Sequence, residues 1–172
     1  MARPKSPSLE LSAASSRLPT APHVLDALTD ADMIVVGPGS LYTSILPNLL
    51  VDGIAAAVAR SHATRVYVAN LKTQPGETDG YSLADHLTAI REHTGHDLFD
   101  YVLVNRSPIA PDALAKYAAD GSRVIPVQTA LPGTRARVVC AELAAETPCG
   151  QIRHDPAALG FALRALAQTL NG

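Results

Sequence analysis

Several things are scarce in this 172-residue sequence, and each scarcity closes off a class of protein. There are two cysteines, Cys140 and Cys149. That is too few for a disulfide framework, and their spacing is not the C-x-x-C of a redox or zinc site. No charge sign dominates: 14 Lys and Arg stand against 16 Asp and Glu, for a formal charge of −2 and a pI near 6.3. The electrostatic footprint of a nucleic-acid or anionic-membrane binder is therefore missing. No apolar run is long enough to span a bilayer. The opening MARPKSPSLELSAASSR has basic residues but lacks the apolar stretch of a secretory signal. No serine sits in G-x-S-x-G, so a hydrolase triad has no support. The six histidines, His23, His62, His86, His93, His96 and His154, show no recognised zinc spacing. What is present is 47% hydrophobic and 17% charged residues, the composition of one globular domain. A cytoplasmic protein is expected.

The first eighteen residues, with five Ser and two Pro, read as a disordered leader, and residues 19–172 as a single domain. Beyond the leader the chain alternates. Thr20–Asp30 reads as a short helix, Met33–Val36 as a buried strand, and Leu41–Arg60 as two helical pieces interrupted by Pro47 and Gly53. Arg65–Leu71 is a second strand. Ser82–His93 is a helix with a capping box at Ser82 and Asp85 and an apolar face of Leu83, Leu87 and Ile90. Tyr101–Asn105 is a third strand, Pro111–Ala119 a helix closed by Gly121, Arg123–Val127 a fourth strand and Arg137–Ala141 a fifth. Asp155-Pro156 opens the last helix, striped by Leu159, Leu163, Leu166 and Leu170. Strands alternating with helices imply an α/β protein with a mostly parallel sheet covered on both faces.

Ligands of open parallel sheets sit beyond the carboxyl ends of the strands. Three polar, Gly- and Pro-rich loops follow the first three strands: Gly37 to Ser44, Asn70 to Tyr81, and Asn105 to Pro108. Ser40, Asn70, Thr73 and Asn105 are expected to gather on that rim. In the first loop Gly37 and Gly39 permit a sharp turn, and the following helix, with Ser40, Thr43 and Ser44, suits a phosphate. The alternative is a tight turn without ligand. Tyr42 stands where G-x-G-x-x-G needs its third glycine, and no Gly-Lys-Ser/Thr follows, so neither nucleotide fingerprint is met. Glu77 and Asp79 either bind a metal or work as acid and base, or they belong to a solvated turn entering a helix. Lys72 either pairs with a phosphate or lies on the surface.

DMIVVGPGSLYTS from Asp32, continuing through ILPNLLVDGI, and VANLKTQPGETDGYSLADHL resemble the gluconeogenesis-factor (YvcK-like, CofD-like) family. VLVN at Val102–Asn105, KYA from Lys116 and IRHDP at Ile152–Pro156 add to the match. The resemblance runs from about Pro19 to Leu170, corresponds to the carboxyl-terminal half of the family pattern, and leaves out the amino-terminal GGGTG loop and the chain that follows it. It implies a three-layer Rossmann-like fold and a cytoplasmic bacterial regulator tied to gluconeogenic growth, cell shape and cell-wall precursor supply. It also implies a nucleotide-sugar ligand, UDP-N-acetylglucosamine. The resemblance adds Tyr117 and Arg153 to the loop residues Gly37, Gly39, Ser40, Tyr42, Thr43, Asn70, Thr73, Asp79 and Asn105, and together these are the expected ligand set. Tyr117 supplies a ring or hydroxyl, and Arg153 a fork for the diphosphate. Catalytic residues are not assigned and no metal is expected. Magnesium enters only under the alternative, a 2-phospho-L-lactate transferase acting on a deazaflavin. A third reading is an inactive fragment. The partners expected are the nucleotide sugar and either a second copy or a chain supplying the absent half.

Overall fold

Val, Ile and Tyr supply most positions of the parallel sheet, because branched and aromatic side chains fit a pleated, buried surface. The computed structural model describes residues 20–148 and 150–170, so the leader and Cys149 lie outside the described residues. Strands β1 (Met33–Val36), β2 (Thr64–Val68), β3 (Tyr101–Asn105) and β4 (Arg137–Ala141) form a parallel sheet in the order β1-β2-β3-β4. Val35 stands opposite Val66, Val66 opposite Tyr101, and Tyr101 opposite Arg137. Parallel pairing brings the carboxyl ends of all four strands to one rim.

Alternate residues of each strand face opposite sides. Ile34, Tyr67, Val102 and Val104 look toward one helical layer. It holds α1 (Pro22–Asp30), α2 (Leu46–Leu49), α3 (Ile54–Arg60) and α4 (Leu83–Thr94), and Leu46, Val58, Leu83 and Ile90 are buried there. Val66, Val68 and Leu103 look the other way, toward Leu166, Leu163 and Leu159 of α6 (Pro156–Leu170) and toward Leu143. The result is the three-layer α/β architecture expected. A third cluster joins α5 (Pro111–Ala119), through Ala113 and Tyr117, to Leu71 and Ile152. The start of the sheet is fastened by a forked ion pair. Arg65 Nε donates to Asp100 Oδ2 at 2.8 Å, Nη2 to Oδ1 at 2.6 Å, and Nη1 to the Ala59 carbonyl at 3.1 Å. Among the described residues no single helix is long and apolar enough to cross a membrane.

The elements differ from the sequence reading in four places. Residues 123–127 are not a strand of the sheet: Val124 makes one isolated antiparallel bridge to Lys72. Pro126 has no N–H to give, and Arg137–Ala141 takes the place beside β3. Strand β2 stops at Val68, because the chain then leaves the sheet to meet this segment, with Thr73 N–H donating to Arg123 O at 2.8 Å. Pro47 does not break a helix. It lies in the first turn of α2, where its missing N–H costs nothing, after one π-helical turn at Leu41–Ile45. The break falls at the other expected interruption, between Leu49 and Ile54, where Gly53 with φ +81° caps α3. Finally, β5 (Ala144–Glu146) and β6 (Ile152–His154) form an antiparallel hairpin that the sequence reading did not contain. The capping box at Ser82 is present as expected.

Candidate functional site

The GPGS turn and the TQPGETDGY loop are stitched together. Gly37 has φ +87°, and a Cβ there would lie 2.8 Å from the Val68 carbonyl oxygen, so only glycine lets the turn lie this close to β2. Asn70 closes the turn from the next strand: its Oδ1 accepts from Gly39 N–H at 3.2 Å and its Nδ2 donates to Gly39 O at 2.8 Å. Ser40 Oγ donates to the Glu77 carboxylate and accepts from Thr43 N–H at 3.3 Å and Thr43 Oγ1 at 2.6 Å. The Tyr42 and Tyr81 hydroxyls meet at 2.9 Å. Burial, that hydroxyl contact and the nearby Glu92 and Glu77 charges hold the Tyr42 phenol well above its ordinary pKa. Hydroxyl, amide and carboxylate thus satisfy one another here. The turn's N–H groups at Gly39 and Thr43 are spent, and Glu77 places a negative charge where a phosphate was expected.

The other rim residues are committed in the same way. Thr73 is 3% exposed and its Oγ1 accepts from Arg123 N–H at 2.9 Å. Asp79 Oδ2 accepts from Gly76 N–H at 2.8 Å and closes its own turn. Asn105 Oδ1 gathers three backbone donors, Ser107 at 3.0 Å, Leu143 at 2.9 Å and Ala144 at 3.1 Å. These side chains hold loops against strand ends. Between them, beyond β2 and β3, lies a hollow of about 250 Å³ lined by Asn70, Asn105, Arg106 and Ser107 together with Leu114 and Val127. Glu77 and Asp79 are engaged by different donors, Ser40 Oγ and Gly76 N–H. Among the described residues no three His, Cys, Asp or Glu side chains are grouped to hold a metal, so no step through magnesium is derived.

Tyr117 and Arg153 do come together, in a different place. Both line a cleft of about 620 Å³ between α5 and the β5–β6 hairpin, with Lys72, Lys116, Asp120 and Gln151. The Tyr117 hydroxyl is bound twice to one residue: it donates to Ile152 O and accepts from Ile152 N–H, each at 2.9 Å. Its ring carries the Lys72 ammonium 4.7 Å from the centroid. Tyr117 therefore sets β6, and with it the exposed Arg153, whose Nη2 donates to Gln151 Oε1 at 3.1 Å. His154 follows on β6. Burial pushes its pKa down against a bond to the Ala69 backbone. No hydrogen bond among the described residues joins Tyr117 or Arg153 to the GPGS turn. Lys116 and Gly150 were absent from the expected set. The lysine of KYA was visible in sequence, but only the unforeseen hairpin brings Gly150 against its ammonium.

The family model described as 2-phospho-L-lactate transferase CofD matches residues 3–144, which includes most of the stretch set apart as a leader. A relative from Nostoc sp. is 44% identical over 147 residues, covering 84% of this chain and 32% of the relative. Another, from Halalkalibacterium halodurans, is 54% identical over 96 residues, covering 56% of this chain and 30% of the relative, and is named gluconeogenesis factor. A crystal structure of a UPF0052-family protein from Bacillus halodurans superposes with a TM-score of 0.77 at 39% identity, covering 86% of this chain and 47% of that one. The chain thus spans about a third of these curated relatives and just under half of the solved one. Since the matched model takes in far more than half of the sequence, the chain belongs to the CofD family.

Proposed function

We propose that this chain acts as a gluconeogenesis factor, a ligand-binding regulator whose ligand is the nucleotide sugar UDP-N-acetylglucosamine, bound in the α5–hairpin cleft. The observation that carries the reading is the meeting of Tyr117 and Arg153, the two residues singled out by resemblance, on one cationic cleft of nucleotide-sugar size. The relatives' name supports the regulatory role in carbon metabolism, with cell shape and cell-wall precursor supply as its expected outputs. Cytoplasmic placement belongs to the same reading. The test is calorimetric titration with UDP-N-acetylglucosamine. Removing a charge-assisted contact costs ~1.5–3 kcal/mol, so Arg153→Ala should weaken binding about ten- to a hundredfold while circular dichroism stays unchanged. A folded Arg153→Ala chain with wild-type affinity removes Arg153 from the site.

The family model's description favours a second reading, a phospholactyl transferase. Turnover of a nucleotide-activated lactyl donor with a deazaflavin acceptor would establish it. Against it stands the engagement of Glu77 with Ser40, which leaves no carboxylate pair poised at the rim.

A further inference from the structure

We propose that the ligand's diphosphate is held by the ammonium groups of Lys72 and Lys116 in the α5–hairpin cleft, which selects the phosphate alternative for Lys72 and gives Lys116 a role that neither resemblance nor sequence pattern assigned. The proposal rests on the nucleotide-sugar reading above and relocates the phosphate subsite from the GPGS turn.

The cleft wall carries three cations, Lys72, Lys116 and Arg153, against the lining acid Asp120 and the neighbouring Glu146, which leaves a positive excess of one. Glu146 Oε1 lies near the Lys116 ammonium, both being close to Gly150. Among the described residues the ion pairs are Arg65–Asp100, Arg106–Glu142 and Arg135–Asp100, and none involves the three cleft cations. Like charges lining one concave surface raise its potential, and an entering anion relieves that repulsion. The rim offers the opposite environment, because the Glu77 carboxylate is bonded to Ser40 there.

Both lysines are positioned beforehand. Lys72 Nζ donates to Ser122 Oγ at 3.1 Å, and Ser122 is 1% exposed. That uses one of three ammonium protons and leaves two for ligand oxygens. The backbone beneath it is fixed by the Lys72–Val124 bridge and by Ile125 N–H donating to Leu71 O at 3.1 Å. The ring of Tyr117 beneath the ammonium keeps it in the cleft without neutralising it. Lys116 reaches across to the hairpin turn. Gly150 has φ +70°, and a Cβ there would stand 2.6 Å from Lys116 Nζ, so the absent side chain at 150 makes the space the ammonium occupies. The same α5 segment thus supplies the aromatic ring and one cation, and the segment after β2 supplies the other.

The experiment titrates the full chain calorimetrically with inorganic pyrophosphate, UDP, UDP-N-acetylglucosamine and free N-acetylglucosamine. The variants are Lys72→Met and Lys116→Met, with Arg164→Met on the exposed side of α6 as a charge-matched control and circular dichroism melts to establish folding. Each lysine replacement should weaken pyrophosphate and UDP by about tenfold or more, and Arg164→Met should not. Lys116 is exposed, so its replacement decides the matter even where Lys72→Met does not fold. Wild-type affinity for UDP in folded Lys116→Met overturns the proposal while leaving the nucleotide-sugar reading intact. Pyrophosphate binding that needs the lysines, with no gain in affinity from the uridine and sugar, upholds the anion subsite and overturns the nucleotide-sugar reading. No binding of any probe by the wild type overturns both.

Discussion

Asp100 accepts from the Arg65 side chain twice and from its backbone N–H at 3.0 Å, so one carboxylate ties β2 to the start of β3. Burial alone would raise the Asp100 pKa, but the hydrogen bonds and charge of Arg65, with Arg135 nearby, hold it below the usual carboxylate value. Asp100→Ala would leave the 9%-exposed Arg65 without its counter-charge. The expected loss is ~3–5 kcal/mol in urea unfolding, with Asp100→Asn milder. His86 behaves in the opposite sense. It is 1% exposed, its Nδ1 lies 2.9 Å from Ser82 O, and burial depresses its pKa below 6.5. The unfolded chain then binds the proton more readily than the folded one. Stability is therefore full above the ordinary histidine range and falls as pH drops through 6.5 toward the lower folded value. His154 shifts in the same direction. Asp100 adds its own loss only further down, below the ordinary carboxylate pKa of 3.8. Chemical denaturation at a series of pH values should show the first decline near pH 6.5, reduced in His86→Leu; an unchanged decline in that variant would assign it to other groups.

At the scale of elements, β1 and the β5–β6 hairpin deserve separate expectations. Strand β1 is an edge of the sheet and reads Met-Ile-Val-Val, with no charge or proline to discourage pairing. Val35 is 40% exposed, and an apolar groove of about 370 Å³ runs beside it. The isolated chain should self-associate, and Val35→Lys should lower its sedimentation-derived mass without loss of thermal stability. In the hairpin, Tyr117→Phe strips Ile152 of both partners at a buried site and should cost ~1–3 kcal/mol while also weakening the ligand through Arg153. These elements also mark how far the sequence could be read. The runs Met33–Val36 and Tyr101–Asn105 and the Ser82 cap were legible because apolar periodicity and local capping chemistry fix them without tertiary help. Residues 123–127 misled because an apolar run says nothing about which neighbour has an open edge. The three-residue strands at 144–146 and 152–154 carry no periodic signal; Asn105 and Tyr117 place them. The rim loops were legible as neighbours. That their polar groups would satisfy each other was not, since Ser40 and Glu77 are 37 residues apart.

At the scale of the whole molecule, most of the chain superposes on just under half of the solved relative. We expect the portion of a curated relative that this chain does not match, supplied as a separate polypeptide, to bind this chain and suppress its self-association, measured by analytical ultracentrifugation of the mixture. Persistence of homomeric species would point to a second copy as the natural neighbour of β1. One feature of the layering reaches into synthesis. Val66, Val68 and Leu103 find their cover in α6, the last of the described elements, together with Leu143. A nascent chain halted before residue 156 has made all four strands of the sheet, but their second apolar face has only Leu143 of this cluster's buried cover to lie against. Such chains should be cut readily by protease and held by chaperones, and resistance should appear abruptly once α6 has left the ribosome.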